Sequence, residues 1–301
     1  MNWKFEPVAG PFKGALGGVA WDGSSMLVSL IDEMQIRKFD PATGKDSVYR
    51  NYTGRVNGIA VAPDGVVYAA QEGGRRVVAL LPDGSAVVTA TRFEGKPHNH
   101  PCDLVLDKKG RIWFTDPRHG IQAFGPKMFP LLDHASVMRI ERDDRNHWVI
   151  RRVTYDTTAP RAVLLSPDEK TLYVAENGSG SAASPDSLVR ELRAYGLRAD
   201  GSAGPYTVLH TFGRDLRGPQ RGIEGMCLDA QGNIVAVAGS KESGPGSLVY
   251  VFAPSGRVLE THALPCDAPV RCAFGDAGMD SLYVSGGDGC LYRAMCTRPA
   301  G

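Results

Sequence analysis

Residues 102–116 read CDLVLDKKGRIWFTD, an apolar run, a turn that ends on glycine, and a second apolar run holding two aromatic rings. Each run is short and rich in β-branched or aromatic side chains, which suits a strand with at least one buried face. The KKG between them supplies the positive φ that a tight hairpin loop needs. This unit is a β-hairpin, and it recurs. Outward from it the pattern returns as GGVAWDGSSMLVSL from residue 17, NGIAVAPDGVVYAA from 57, RAVLLSPDEKTLYVAE from 161, EGMCLDAQGNIVAVA from 224 and RCAFGDAGMDSLYVSG from 271. Six copies spaced by roughly 40 to 60 residues match the period of propeller blades, four short strands each. The expected fold is all-β: one domain over residues 1–301, a six-bladed β-propeller with four antiparallel strands per blade. No window shows a 3.6-residue apolar period, so little helix is expected. Two β-sandwiches are the competing arrangement, but no Pro/Ser-rich linker divides the chain. A ring closes when one terminus completes the other's blade, so the segment around Trp3 to Val8 is expected beside Leu282 to Ala294.

Composition narrows the function. The 301 residues are 43% hydrophobic and 22% charged, with a formal net charge of +1 and both signs interspersed. Neither nucleic acid nor a membrane surface is implied as a partner; a small molecule is. The opening stretch MNWKFEPVAGPFKG has no basic segment followed by an apolar one, and no apolar run approaches the roughly 20 residues of a membrane span. Six cysteines contain no C-x-x-C pair. The expectation is reduced thiols in a cytoplasmic protein, with Cys227 and Cys272 in the core.

In a propeller the innermost strands all begin at one end of the central channel. Gly17, Asn57, Cys102, Arg161, Glu224 and Arg271 are therefore expected to converge there, although they are far apart in sequence. Charged groups beside buried strands are rare unless paired or used.

Across almost its whole length the chain resembles the calcium-dependent sugar lactonases of the gluconolactonase and senescence-marker-protein (regucalcin) type. HNHPCDLVLDKKGRIWFTDPRHG (98–120) is similar to that family's N-S-P-N-D…D-G-x-x-x-F-T-D-P. PRAVLLSPDEKTLYVAENG (160–178) resembles P-N-G-x-x-x-S-P-D-x-x-x-L-Y-V-A. IEGMCLDAQGNIVAVA (223–238) and CAFGDAGMDSLYVS (272–285) resemble P-D-G-x-x-x-D-x-x-G-N and C-A-F-G-G-x-x-x-x-x-L-Y-V-T. The resemblance implies a propeller that opens lactones. It also implies a metal site, and there the chain departs. The family's glutamate corresponds to Gly17, its two asparagines to Cys102 and Arg161, and its aspartate to Glu224. Calcium wants six to eight oxygen ligands, and a guanidinium repels a cation, so no calcium or other cofactor is expected.

Four replacements at one convergence point read as a rebuilt site. Arg161 is assigned the electrophilic role of the missing ion, and Glu224 proton transfer. Cys102 is the candidate nucleophile, its thiol acidified by the cationic cluster, with His100 or His98 as activating base. His98, Arg221, Arg271 and Asn57 are candidate substrate-binding residues, and the substrate is anionic or lactone-like. A transition metal on Glu224 with His98 or His100 is the one metal alternative. Asp103 is expected to tie neighbouring blades through backbone N–H groups, and Asp116 to order its turn, with His119 near the channel mouth. The mouth loops, Gly120 to His134 and Asn177 to Ser187, carry no readable code. Besides a metal-independent lactonase-like hydrolase acting on ester bonds, two readings stay open. One is a lyase or isomerase acting on a carboxylate; the other is a ligand-binding propeller without catalysis.

Overall fold

A short amphipathic strand buries its apolar face only against another sheet, and six such sheets set around an axis cover one another in turn. The computed structural model describes residues 3–118, 130–178 and 190–296, and every regular element in them is a strand. Six four-stranded antiparallel sheets form the blades of a β-propeller, as the repeat predicts. Their inner strands are Leu16–Trp21, Val56–Val61, Leu104–Leu106, Pro160–Leu165, Ile223–Leu228 and Arg271–Gly275, which define blades 1 to 6. Apolar cores lie between blades: Ala20, Leu27 and Ile36 of blade 1, for example, pack on Val56, Ile59, Ala69 and Val78 of blade 2. Cys227 and Cys272 join the core between blades 5 and 6, their sulfurs 3.7 Å apart.

The ring closes through the N-terminal segment. Glu6–Ala9 is the outermost strand of blade 6, antiparallel to Leu291–Met295 with Glu6 opposite Arg293 and Ala9 opposite Leu291. The strand starts later than the expected Trp3. Trp3 and Phe5 are buried in the core between blades 5 and 6, where Trp3 stacks on His262 at 4.0 Å between ring centroids. Their side chains are committed to packing, and ladder pairing begins only past them. Pro7 is tolerated because this strand is the sheet's edge.

Close approach at the axis depends on glycine. A Cβ on Gly58 would lie 2.7 Å from the Cys102 carbonyl oxygen and 2.8 Å from the Asp103 Cα. On Gly225 it would lie 2.7 Å from the Arg271 Cα. These neighbours are backbone of the next blade's inner strand and cannot swing aside. The Asn-Gly and Glu-Gly pairs at blade starts thus set how tightly the ring draws in.

Gly58→Ala should therefore destabilise the fold by about 1–3 kcal/mol through overpacking. Gly196→Ala, where an added Cβ meets nothing within 4 Å, should be close to neutral. Urea unfolding of the two variants beside the parent checks this, and equal midpoints for all three would refute it.

Candidate active site at the channel axis

The six blade-start residues do meet. In four blades the strand register slips at these positions: at Gly17 and Gly18, at Asn57 and Gly58, at Arg161, and at Glu224. A bulge turns side chains out of the regular alternation, here toward the axis. The centre is the guanidinium of Arg271, which is buried. Its Nε donates to Asp103 Oδ1 at 3.2 Å, and one Nη donates to the carbonyl oxygens of Glu224 and Val270. The other Nη reaches Asn57 Oδ1 at 3.3 Å, the Cys102 carbonyl oxygen at 3.2 Å and Cys102 Sγ at 3.1 Å. Asp103 Oδ2 accepts the Val163 N–H of blade 4 at 3.1 Å, so Asp103 ties blades as expected. Ser285 Oγ accepts the Arg271 N–H and donates to the Gly17 carbonyl oxygen at 2.7 Å. Further along the inner strands lies a cavity of about 70 Å³ lined by Val19, Ile59, Val105, Leu164, Met226 and Cys272. Asp103 and Arg271 also line this cavity.

At that end stands an ion pair. Arg161 donates to Glu224 Oε2 from Nε at 2.9 Å and from Nη2 at 2.7 Å. Glu224 Oε1 accepts from Asn177 Nδ2 at 3.2 Å and faces Arg221 Nε at 3.5 Å. The Glu224 side chain is 7% exposed and that of Arg161 23%, so the carboxylate is the more deeply buried partner. Burial alone would raise the Glu224 pKa, but Arg161, Arg221 and Arg271 outweigh it and hold the carboxyl at about 2. For Arg161, burial opposes the charge, yet Cys102 and Glu224 drive its pKa further up. On the other side Glu72, buried, accepts from Arg55 at 3.0 Å and from Asn57 Nδ2 at 3.0 Å.

Several sequence expectations change in this setting. Cys102 is completely buried, and burial pushes its thiol up, outweighing the lowering by Arg161 and Arg271; the expected acidification is reversed. Arg271 and Asn57, read as substrate-binding, have their polar groups engaged by the protein itself. His98 is fully buried in the wall: Nε2 donates to the Ala90 carbonyl oxygen at 2.8 Å and the ring packs edge-on to Phe114. Burial, and then Arg75, lowers the His100 pKa to about 4, so its ring is neutral at ordinary pH. For His98, burial does the same, to about 4. Asp116 holds the segment before blade 3, taking the Asn99 N–H at 2.9 Å, and burial pushes its carboxyl up to about 7; the turn it was expected to order runs into residues outside those described. His119 and most of both mouth loops lie outside the described residues.

The donor set does not fit calcium. Gly17 has no side chain, the Cys102 sulfur already accepts from a guanidinium, and Arg161 is itself a cation lying on Glu224. Glu224 is left as the lone carboxylate of the four positions. Among the described residues no group of three His, Cys, Asp or Glu side chains is disposed to hold a metal, the Glu224–His98–His100 combination included.

Sequence reasoning missed Glu72, Asn177 and Arg190. Glu72 and Asn177 directly follow the second strands of blades 2 and 4, and Arg190 directly precedes the third strand of blade 4. A second strand runs antiparallel to the inner one, so its last residues return to the end where the inner strand begins. That rule, applied to each copy, would have pointed to them.

Comparison with known proteins agrees with this architecture. The family described as SMP-30/Gluconolactonase/LRE-like region matches residues 17–287. The gluconolactonase of Zymomonas mobilis is 30% identical over 233 residues, 76% of this chain and 60% of that protein, so the chain spans less than two thirds of this relative's length. The solved structure of a Xanthomonas campestris gluconolactonase superposes with a TM-score of 0.79 at 26% identity, over 99% of this chain and 90% of that one. The calcium-binding regucalcin of Agrobacterium tumefaciens shares the fold at a TM-score of 0.75 and 15% identity, over 99% and 96% of the two chains. With a match that reaches from the first inner strand into the last blade, the chain belongs to the SMP-30/gluconolactonase/LRE-like family.

Proposed function

We propose that this protein hydrolyses a lactone of a small polar molecule, with the Arg161 guanidinium as electrophile and without a resident metal. The observation that carries this is the Arg161–Glu224 pair at the end of the channel where the inner strands begin, where the family resemblance expects a metal ion and its ligands. Family membership and the gluconolactonases among the relatives support the lactone; the donor set supports the absence of calcium.

The lactone carbonyl oxygen binds at Arg161. As water adds to the carbonyl carbon, negative charge collects on that oxygen, and a fixed guanidinium stabilises it more than it stabilises the neutral ground state. Arg161 then divides its donors between the oxyanion and Glu224. What held the Glu224 pKa at about 2 weakens, and a second negative charge appears beside it. The carboxylate becomes a better base as the oxyanion forms, and it takes the proton of the attacking water. Collapse of the tetrahedral species breaks the ring C–O bond, and the leaving oxygen takes that proton to give the hydroxy acid. Cys102 has no covalent role in this scheme; its sulfur is an acceptor for Arg271.

Dialysis against a chelator should leave turnover of a sugar-lactone panel intact, and added calcium should not raise it. Arg161→Gln should lower kcat by about 10²- to 10³-fold, the cost of one preorganised oxyanion donor. Chelator-sensitive activity, or a Gln variant at parental rate, overturns the assignment. Because Glu224 stays ionised in the free protein down to about pH 2, kcat/KM should show no acidic limb near 4.5. A limb there would mean that Arg161 does not hold the carboxylate. Cys102→Ser should keep its rate within a few-fold, and an abolished rate in that folded variant would restore the covalent route.

A further inference from the structure

The charges of the site pair off unevenly. Asp103 is matched by Arg271, Glu72 by Arg55 and Glu224 by Arg161. Among the described residues two further guanidiniums stand beside the last pair with no carboxylate of their own. Arg221 has a long contact to Glu224 at 3.5 Å and one backbone acceptor, the Pro269 carbonyl oxygen at 3.2 Å. Arg190 lies within electrostatic reach of Glu224, Arg221 and Arg161, and its buried Nε has no hydrogen-bond partner among the described residues. Beside it the buried Asn177 Oδ1 is also without a partner among those residues, because the Nδ2 end donates to the Ile223 carbonyl oxygen and to Glu224. Gly222 permits this close approach. A Cβ there would overlap Asn177 Oδ1 and lie 3.3 Å from the Cβ of Arg190.

Buried polar atoms are ordinarily satisfied, and like charges are not gathered without a counterion. A buried donor on a guanidinium, a second guanidinium nearby and an idle amide oxygen are complementary to a small hydroxylated anion. We infer that Arg190 and Arg221 form an anion subsite next to the Arg161–Glu224 pair, and that the lactone this protein takes carries a carboxylate or phosphate bound there. Asn177 Oδ1 accepts a hydroxyl of the same molecule. The inference rests on the lactone-hydrolase reading for the word lactone, but the subsite itself stands on the uneven pairing of charge. It gives Arg161 and Arg190 separate tasks: one meets the reacting carbonyl, the other holds the ring by its charged substituent.

Three probes test it: glucono-δ-lactone, the same ring ending in a carboxylate, and the same ring ending in a phosphate. Turnover is measured alongside calorimetric titration of the ring-opened products, which needs no catalysis. One charge-assisted bidentate contact corresponds to roughly ten- to a hundredfold in affinity. The parent should favour one or both charged lactones over the neutral one by at least that margin in kcat/KM, and which anion wins identifies the substituent. Arg190→Gln should erase the preference and Arg190→Lys restore part of it. Arg221→Gln should also narrow it, which keeps the test open if Arg190→Gln fails to fold. Turnover of lactones with no preference between charged and neutral rings overturns the subsite and leaves the hydrolase reading standing. Arg190-dependent binding of the acids without turnover of any lactone does the reverse. Neither binding nor turnover overturns both.

Discussion

A guanidinium buried on the axis of a propeller is tolerable only if every blade helps to satisfy it. An unpaired buried charge costs several kcal/mol, and its five N–H groups each need an acceptor. Arg271 meets this demand with the carboxylate of Asp103, the amide oxygen of Asn57 and the carbonyl oxygens of Cys102, Glu224 and Val270. Asp103 passes the linkage to Val163, and Ser285 passes it to Gly17. All six blades are joined by this one net. It fixes the backbone of Cys102 and Glu224, and through Glu224 it fixes the height at which Arg161 stands. The site is rigid because its floor is the same net that gathers the ring.

The repeat was legible because its signals are local. Two apolar runs and a glycine or aspartate turn declare a hairpin without reference to anything distant, and six hairpins at one period declare a propeller. Convergence of the inner strands then followed from topology, which is why Arg161, Glu224 and Arg271 could be placed together from sequence alone. What the sequence did not disclose was depth. Cys102 stands beside two arginines, and proximity alone predicts an acidified thiol; its burial is a three-dimensional quantity and acts in the opposite direction with greater weight. The partners of Arg271 were hidden for the same reason, since nothing in RCAFG says that its donors are engaged on the inside. Glu72, Asn177 and Arg190 escaped because they flank strands and follow no motif.

The exchange of an ion for a guanidinium that we propose would change the character of the site. A metal is held by several ligands, exchanges with solvent and depends on supply. Arg161 is covalently part of the chain, charged at any physiological pH, and directional: two of its donors lie on one carboxylate. A carboxylate that would have been one ligand among several becomes the partner that aims the cation. Such a site can be strong for one geometry of oxyanion, but it cannot adapt its coordination as a calcium ion does.

The clasp formed by Glu6–Ala9 and Leu291–Met295 bears on the order of events during synthesis. The two strands are separated by almost the entire chain, so the ring cannot shut while a ribosome still holds the last blade. Contacts of such long range are slow to form. Arg271 lies in that last blade, and until it arrives Asp103 and Asn57 lack the guanidinium they share. A nascent chain with five blades complete would therefore carry the parts of the site without its order, and competence would appear in one late step.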